Sequence, residues 1–280
     1  MRYFKNLVRP YIVWSAILIV IPLFMILLYA FTKTGNSLLN IQFTLENFVK
    51  FADEVYVDVF IKSLKLGILT VLICLVLGYA LAYVICLFSE KVQNVLILLV
   101  TIPMWINMLL RTYAWMSILS ENGLVNMFLQ KLGIEPLNMM YTDFSVMIGM
   151  ICNFLPFMII PIHTSLSKMD KSLTEASYDL GANKLQTFRR VVFPQSIPGV
   201  INGVIMVFLL AISSFVIPKL LGGGQYVLIG NLIENQFISI GDWNLGSAIS
   251  LILAIIIIAA VSFMKKLDRD EGQVRNEKDK

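Results

Sequence analysis

The chain has 280 residues, of which 58% are hydrophobic and 14% charged, against roughly 45–50% and about 25% in soluble globular proteins. The apolar excess falls in blocks of roughly twenty residues, each long enough to cross a hydrocarbon core of about 30 Å, which excludes a soluble protein and predicts an all-α, polytopic membrane protein. A net charge of +4 is too small to point to nucleic acid, so the placement of the charges matters more than their sum.

The first predicted span runs from Tyr11 to Phe31 behind Arg2, Lys5 and Arg9. Its apolar core exceeds a signal-peptide h-region and no small-x-small cleavage site follows, so it reads as a retained helix with a kink expected at Pro22. A polar segment, 32–63, carries Phe43, Phe48, Phe51, Tyr56 and Phe60 among its acids, a pattern suited to short amphipathic helices or to an external partner. Further spans are predicted over Leu64 to Phe88, Val95 to Leu119, Phe144 to Thr164, Ile197 to Lys219 and Leu245 to Met264. The tail 268–280 is almost wholly polar and reads as a solvated end without a fold of its own.

Orientation follows from the basic residues near the span ends. With the N-terminus inside, Arg2, Lys5, Arg9, Lys91, Lys168, Lys171, Lys184, Arg189, Arg190, Lys265, Lys266, Arg269, Arg275, Lys278 and Lys280 are cytoplasmic. Lys33, Lys50, Lys62, Lys65, Arg111, Lys131 and Lys219 remain for the outer segments and the spans. Both termini are therefore expected in the cytoplasm, and the chain reads as one transmembrane domain over 1–280. Cys74, Cys86 and Cys152 lie in or beside apolar spans as small hydrophobes, and His163 lacks Cys or carboxylate neighbours, so no metal or cofactor site is expected.

One polar island, 165–196, interrupts the apolar pattern on the cytoplasmic side. Ser172-Leu-Thr-Glu175 has the form of a capping box, predicting a helix from Ser172 to Leu180 that Gly181 ends in a left-handed turn. Asn183 caps a second predicted helix, which runs through Phe188 and Arg189-Arg190 until Pro194 stops it. Such a helix-turn-helix leaves Leu180, Leu185 and Phe188 exposed beside charges, the composition of a docking surface.

Glu175, Ala176, Asp179, Leu180, Gly181, Ala182, Phe188, Pro194, Pro198 and Gly199 stand at the spacing of the EAA motif, so the chain resembles the permeases of importer-type ABC transporters. The resemblance implies a six-span permease fold and a cytoplasmic loop over 172–199 that docks into an ATP-binding subunit, with Glu175 facing a basic residue there. It also implies a complex with a second homologous permease, two ATP-binding subunits and an extracytoplasmic solute-binding protein in a bacterial inner membrane. No Gly-x4-Gly-Lys-Ser/Thr loop occurs, so ATP is expected on the partner and catalysis is not expected of this chain.

Pro103-Met-Trp-Ile-Asn-Met-Leu-Leu-Arg111-Thr-Tyr-Ala-Trp115, the Gly222-Gly-Gly segment with Gly230, Asn231, Gln236 and Phe237, and Asp242-Trp243 with Gly246 and Ala248 narrow the resemblance to the spermidine/putrescine permease group. A polyammonium cargo calls for aromatic faces and acids, for which Trp105, Tyr113, Trp115, Asp143, Glu234, Asp242 and Trp243 are the candidate suppliers. Each also fits an interfacial aromatic belt or an ordinary outer loop. Arg111, inside an apolar block, reads as a helix tie through Glu121 or carbonyl groups, or as a snorkelling cation. Alternatives left open are an importer of ferric iron, a phosphonate or an amino-acid derivative, a secondary carrier, and a channel subunit, although no inverted repeat or charged ring supports the last two.

Overall fold

The structure, a computed structural model, describes residues 2–33, 42–224 and 226–278. Its helices are α1 (Arg2–Ala30), α2 (Glu46–Phe51), α3 (Glu54–Cys86), α4 (Glu90–Trp105), α5 (Met108–Leu119), α6 (Leu124–Lys131), α7 (Asp143–Ser167), α8 (Lys171–Asp179), α9 (Lys184–Thr187), α10 (Phe193–Ser213), α11 (Val216–Leu221), α12 (Ile229–Glu234) and α13 (Trp243–Lys278). Two π-helical turns, Phe188–Val192 and Asn235–Ile240, complete them, and no β-strand occurs among the described residues. Five helices are long and apolar enough to cross a membrane, and α4 with the following α5–α6 segment makes a sixth candidate, bent by 92°. This is a multi-pass membrane protein.

The bend corrects the predicted third span. Instead of running straight from Val95 to Leu119, the helix stops at Trp105 and restarts at Met108. Asn107 accepts a hydrogen bond from the Leu109 amide at 2.8 Å and so caps the new helix, while Pro103 removes a donor from the end of the old one. The fifth span is likewise interrupted, α10 giving way at Ser214 to α11. At the C-terminal end, α13 runs to Lys278 and overturns the reading of an unfolded tail; Lys, Arg, Glu and Gln are strong helix formers and extend a helix that the apolar span has already nucleated. Lys280 lies outside the described residues, as do the side chains of Arg2, Lys5, Arg9, Arg269, Arg275 and Lys278.

The chain divides into two compact units, one of 1–60 with 231–259 and one of 61–230 with 260–280. In the first, the carbonyls left unpaired where α1 ends are taken up by two buried amides. Asn47 Nδ2 donates to Ala30 O at 3.0 Å and Thr32 O at 2.9 Å, and Asn244 Nδ2 donates to Tyr29 O at 3.0 Å and Thr32 O at 2.7 Å. Phe31 packs on Phe48, and Phe51 on Phe60, which gives three aromatic residues of the segment after α1 an internal role.

In the second unit, α7 lies along α10 and also touches α4, α5 and α11. Small residues permit the close approach, as expected where lipid supplies no hydrophobic drive between helices. Met158 of α7, fully buried, is enclosed by Gly78 of α3 and Gly203 of α10, where a Cβ would stand 2.7 Å from its Cγ and its Sδ respectively. His163 Nε2 lies 3.3 Å from Gln93 Oε1, tying α7 to α4, in keeping with a packing role. The three cysteines are unbridged, and no cluster of metal-ligating side chains occurs among the described residues.

Candidate functional site

The polar island folds as a short, internally braced lever. α8 starts at Lys171, one residue before the position expected, because Asp170 and not Ser172 is its cap; Asp170 accepts from the Ser172 amide at 2.9 Å. This contact, with a further one from the Ser172 side chain, holds the Asp170 carboxyl below the usual carboxylate range. The predicted Ser172–Glu175 capping box is therefore absent, and Glu175, released from capping, is exposed midway along α8 with Ala176 and Asp179.

The turn after α8 forms as the sequence predicts. Gly181 takes φ +82°, its amide donates to Tyr178 O at 2.8 Å, and the Ala182 amide donates to Ser177 O at 3.1 Å. These two bonds make a Schellman motif, which satisfies the last carbonyls of α8 and reverses the chain. Asn183 and Gln186 then exchange side-chain bonds with each other's amides at 2.9 Å, a capping box that starts α9. The Ser177 and Thr187 hydroxyls, 2.9 Å apart, clip α8 to α9.

Pro194 does not end the second helix. The π-helical turn shifts the bonding by one residue, so that the Phe193 amide reaches Phe188 O, and the chain continues into α10 with Pro194 in its first turn, where a missing donor costs nothing. The same turn points Phe188 inward rather than outward. Its ring meets Tyr79 at 5.8 Å and Tyr83 at 5.4 Å, both nearly edge-on, and Phe193 at 6.3 Å. Tyr79 is held in turn by the Ser196 hydroxyl at 2.9 Å. Phe188 is thus packed at the base of the island and is not one of its exposed apolar residues. The exposed face is Leu180, 89% accessible, with Leu185 at 66% and with Leu173, Tyr178, Glu175 and Asp179 around them. This apolar tip, with Glu175 and Asp179 beside it, stands on an element that packs against Tyr79 and Tyr83 of α3 and continues into α10, and it has the composition of a docking surface.

The candidate path residues separate into several settings. Trp105, 88% exposed, stands at the last residue of α4, and α5 carries exposed Tyr113 and half-buried Trp115. Half-buried Glu234 ends α12. Asp242 accepts from the Leu245 amide at 3.0 Å and is the cap of α13, while Trp243 packs against Phe237 and Tyr29. Arg111 forms no ion pair with Glu121 among the described residues; its Nε and Nη1 are buried without a hydrogen-bond partner.

Asp143 has the most developed surroundings. As the first residue of α7 it accepts from the Tyr226 hydroxyl at 2.6 Å, and Lys62 Nζ lies 3.9 Å from the same oxygen and 3.8 Å from the centre of the Tyr226 ring. Burial, then the bond to Asp143, pushes the Tyr226 hydroxyl above the ordinary tyrosine range, so it stays a donor. Neither Lys62 nor Tyr226 belongs to the set expected from sequence. Tyr226, four residues beyond Gly222, is the one a search for aromatics in the glycine-rich segment would have caught.

Residues 87–271 match the family described as binding-protein-dependent transport system inner membrane component. The chain is 39% identical over 257 residues to the spermidine/putrescine transport system permease protein PotB of Salmonella typhimurium, covering 90% of each chain. It is 39% identical to the protein of the same name from Escherichia coli, over 87% of this chain and 90% of that one. It is 31% identical to the inner membrane ABC transporter permease protein YdcU of Escherichia coli, over 81% and 76%. Its fold matches a chain of the bacterial alginate ABC transporter in complex with alginate pentasaccharide-bound periplasmic protein, with a TM-score of 0.81 at 17% identity over 96% of this chain and 94% of that one.

Proposed function

We propose that this chain, which belongs to the family of binding-protein-dependent transport system inner membrane components, is a permease subunit of an ATP-driven polyamine importer. The observation that carries the reading is the match to spermidine/putrescine permeases over nine-tenths of both chains. The whole chain serves as one permease domain and forms half of a path, paired with a second permease of the same kind. Two ATP-binding subunits sit on the cytoplasmic side, and an extracytoplasmic binding protein delivers the cargo. The excess of basic residues at one set of helix ends supports cytoplasmic termini and a bacterial inner-membrane location.

In this reading the tip of α8, with Leu180 at its centre and Glu175, Ala176 and Asp179 beside it, enters a groove on the ATP-binding subunit. Glu175 faces a basic residue there, an assignment its freedom from capping supports. Closure of the ATP-bound pair moves the lever, and Phe188 passes the motion to α3 through Tyr79 and Tyr83. The chain contributes no catalytic residue and no cofactor; ATP chemistry belongs to the partner.

Uptake of labelled spermidine and putrescine by cells carrying the full set of transporter genes, with and without this one, tests the cargo. Loss of polyamine uptake on deletion is expected. Intact polyamine uptake alongside loss of another solute would leave the permease and remove the cargo.

A further inference from the structure

Lys62, Asp143 and Tyr226 bring an ammonium, a carboxylate and an aromatic face to one point. A carboxylate beside an aromatic face is the arrangement that selects an alkylammonium ion, the ring quadrupole and the negative oxygen acting on one positive charge. Here the ammonium it holds belongs to the protein, because Lys62 Nζ is 3.8 Å from the Tyr226 centroid and 3.9 Å from Asp143 Oδ1. The carboxylate is fixed without that ammonium. It opens α7, and the Tyr226 hydroxyl donates to it at 2.6 Å.

The hold on Lys62 is loose and open to water. At 3.9 Å its nitrogen is beyond hydrogen-bond length from the oxygen, and the two side chains are 47% and 74% accessible. Beside the ring lies a cavity of about 490 Å³ lined by Tyr141, Gly222, Gly223, Gly224 and Tyr226, roomy enough for an extended aliphatic chain. Its walls are set by backbone bonds, since the Tyr141 amide and the Ser145 hydroxyl both donate to Leu221 O, at 3.0 and 2.9 Å. Asp143 and Ser167, at opposite ends of α7, stand about 36 Å apart at 1.5 Å per residue, so this site is at the far end of the helix that leads into the lever.

We propose that Asp143 and Tyr226 form the receiving site for an alkylammonium group of the cargo, with the Lys62 ammonium as a tethered placeholder that the incoming group displaces. The inference rests on the polyamine reading above and adds where that cargo first contacts this chain. The placeholder keeps a negative site from standing empty between cycles and holds cargo affinity down, so that passage is not arrested in one deep well.

The test is equilibrium binding of labelled spermidine to the assembled permease–ATPase complex in nanodiscs without binding protein, together with uptake by the complete transporter. Lys62→Met removes the competitor and is expected to tighten binding about threefold, the scale of an exposed ion pair. Asp143→Asn is expected to weaken binding tenfold or more, and Asp143→Glu to recover most of it. Lys62→Gln, which leaves a polar end, checks that any loss in Lys62→Met is not a folding defect. A pair that merely braces the fold predicts the reverse for lysine, with weaker binding in both Lys62→Met and Asp143→Asn. That result, or binding indifferent to all four variants, overturns the proposal while wild-type spermidine uptake keeps the polyamine reading intact. If wild type neither binds nor imports spermidine, it is the cargo assignment that falls.

Discussion

Gly181→Val is expected to reduce by tenfold or more the ATP hydrolysis that loaded binding protein stimulates in reconstituted vesicles, with the chain still inserted in the membrane. The reason is local. Gly181 holds φ +82°, and a Cβ placed there would meet nothing within 4 Å, so valine is excluded by backbone conformation and not by crowding. The left-handed region costs an L-residue about 1–2 kcal/mol and a β-branched one more, and each 1.4 kcal/mol is tenfold in the population of the formed turn. Without the turn the bonds from Gly181 and Ala182 to the end of α8 are lost, and Leu180 is no longer presented in one place. Gly181→Asn, which tolerates this conformation, is expected to retain most of the stimulation. Equal activity in the valine and asparagine variants would separate the turn from coupling.

Gly199→Leu is expected to do more damage and of another kind, preventing a stable fold. A Cβ at this position would stand 2.6 Å from Pro161 O, 2.6 Å from Ser165 Cβ and 3.1 Å from Ile162 Cα, so it meets backbone that yields only if α7 and α10 part. Overpacking of this sort costs about 1–3 kcal/mol even where side chains can adjust, and here they cannot. Ser165 Oγ, which donates to Gln195 O at 3.1 Å, would lose its partner as the helices separate. Thermal stability and protease resistance of the solubilised chain are the measurements. The control is Gly67→Ala in α3, where an added Cβ meets nothing within 4 Å and stability is expected to hold or rise. A leucine variant as stable as the parent would show that the α7–α10 contact is not tight.

Gly199 also shows what the sequence could and could not disclose. Its place in the motif was legible, but the reason for a glycine there is a contact with a helix thirty-odd residues away, which spacing alone does not reveal. The Schellman turn at Gly181 and the cap at Asn183 are local events and were readable as such. Local reading failed wherever two rules competed. Asp170 and Ser172 are both good caps, and the fold uses Asp170, which spacing within the island does not single out.

Pro194 carries a stop signal, yet the five-residue π-helical turn before it, seated on Tyr79 and Tyr83 by Phe188, shifts the bonding by one residue and lets the helix pass. Phe188 looked like an exposed apolar residue because its partners come from α3. The third span hid its break inside an apolar run, although Pro103 and Asn107 were the two residues that make it. Asp143 is legible as an acid and Tyr226 as an aromatic beside the glycine-rich segment, whereas their grouping with Lys62 is visible only when the fold brings residues from three places in the chain to one point.

The central claim, that α8 and the turn after it are the contact through which ATP drives this chain, is tested most directly by a photo-activated cross-linking residue at position 180 in membranes holding the complete transporter. Leu180 is the most exposed apolar residue of the lever and has no structural duty within the chain that its replacement would disturb. The account predicts a covalent product with the ATP-binding subunit, lost when that subunit is omitted and weakened in the Gly181→Val background. Cross-links confined to lipid or to the binding protein, with none to the ATP-binding subunit, would contradict it.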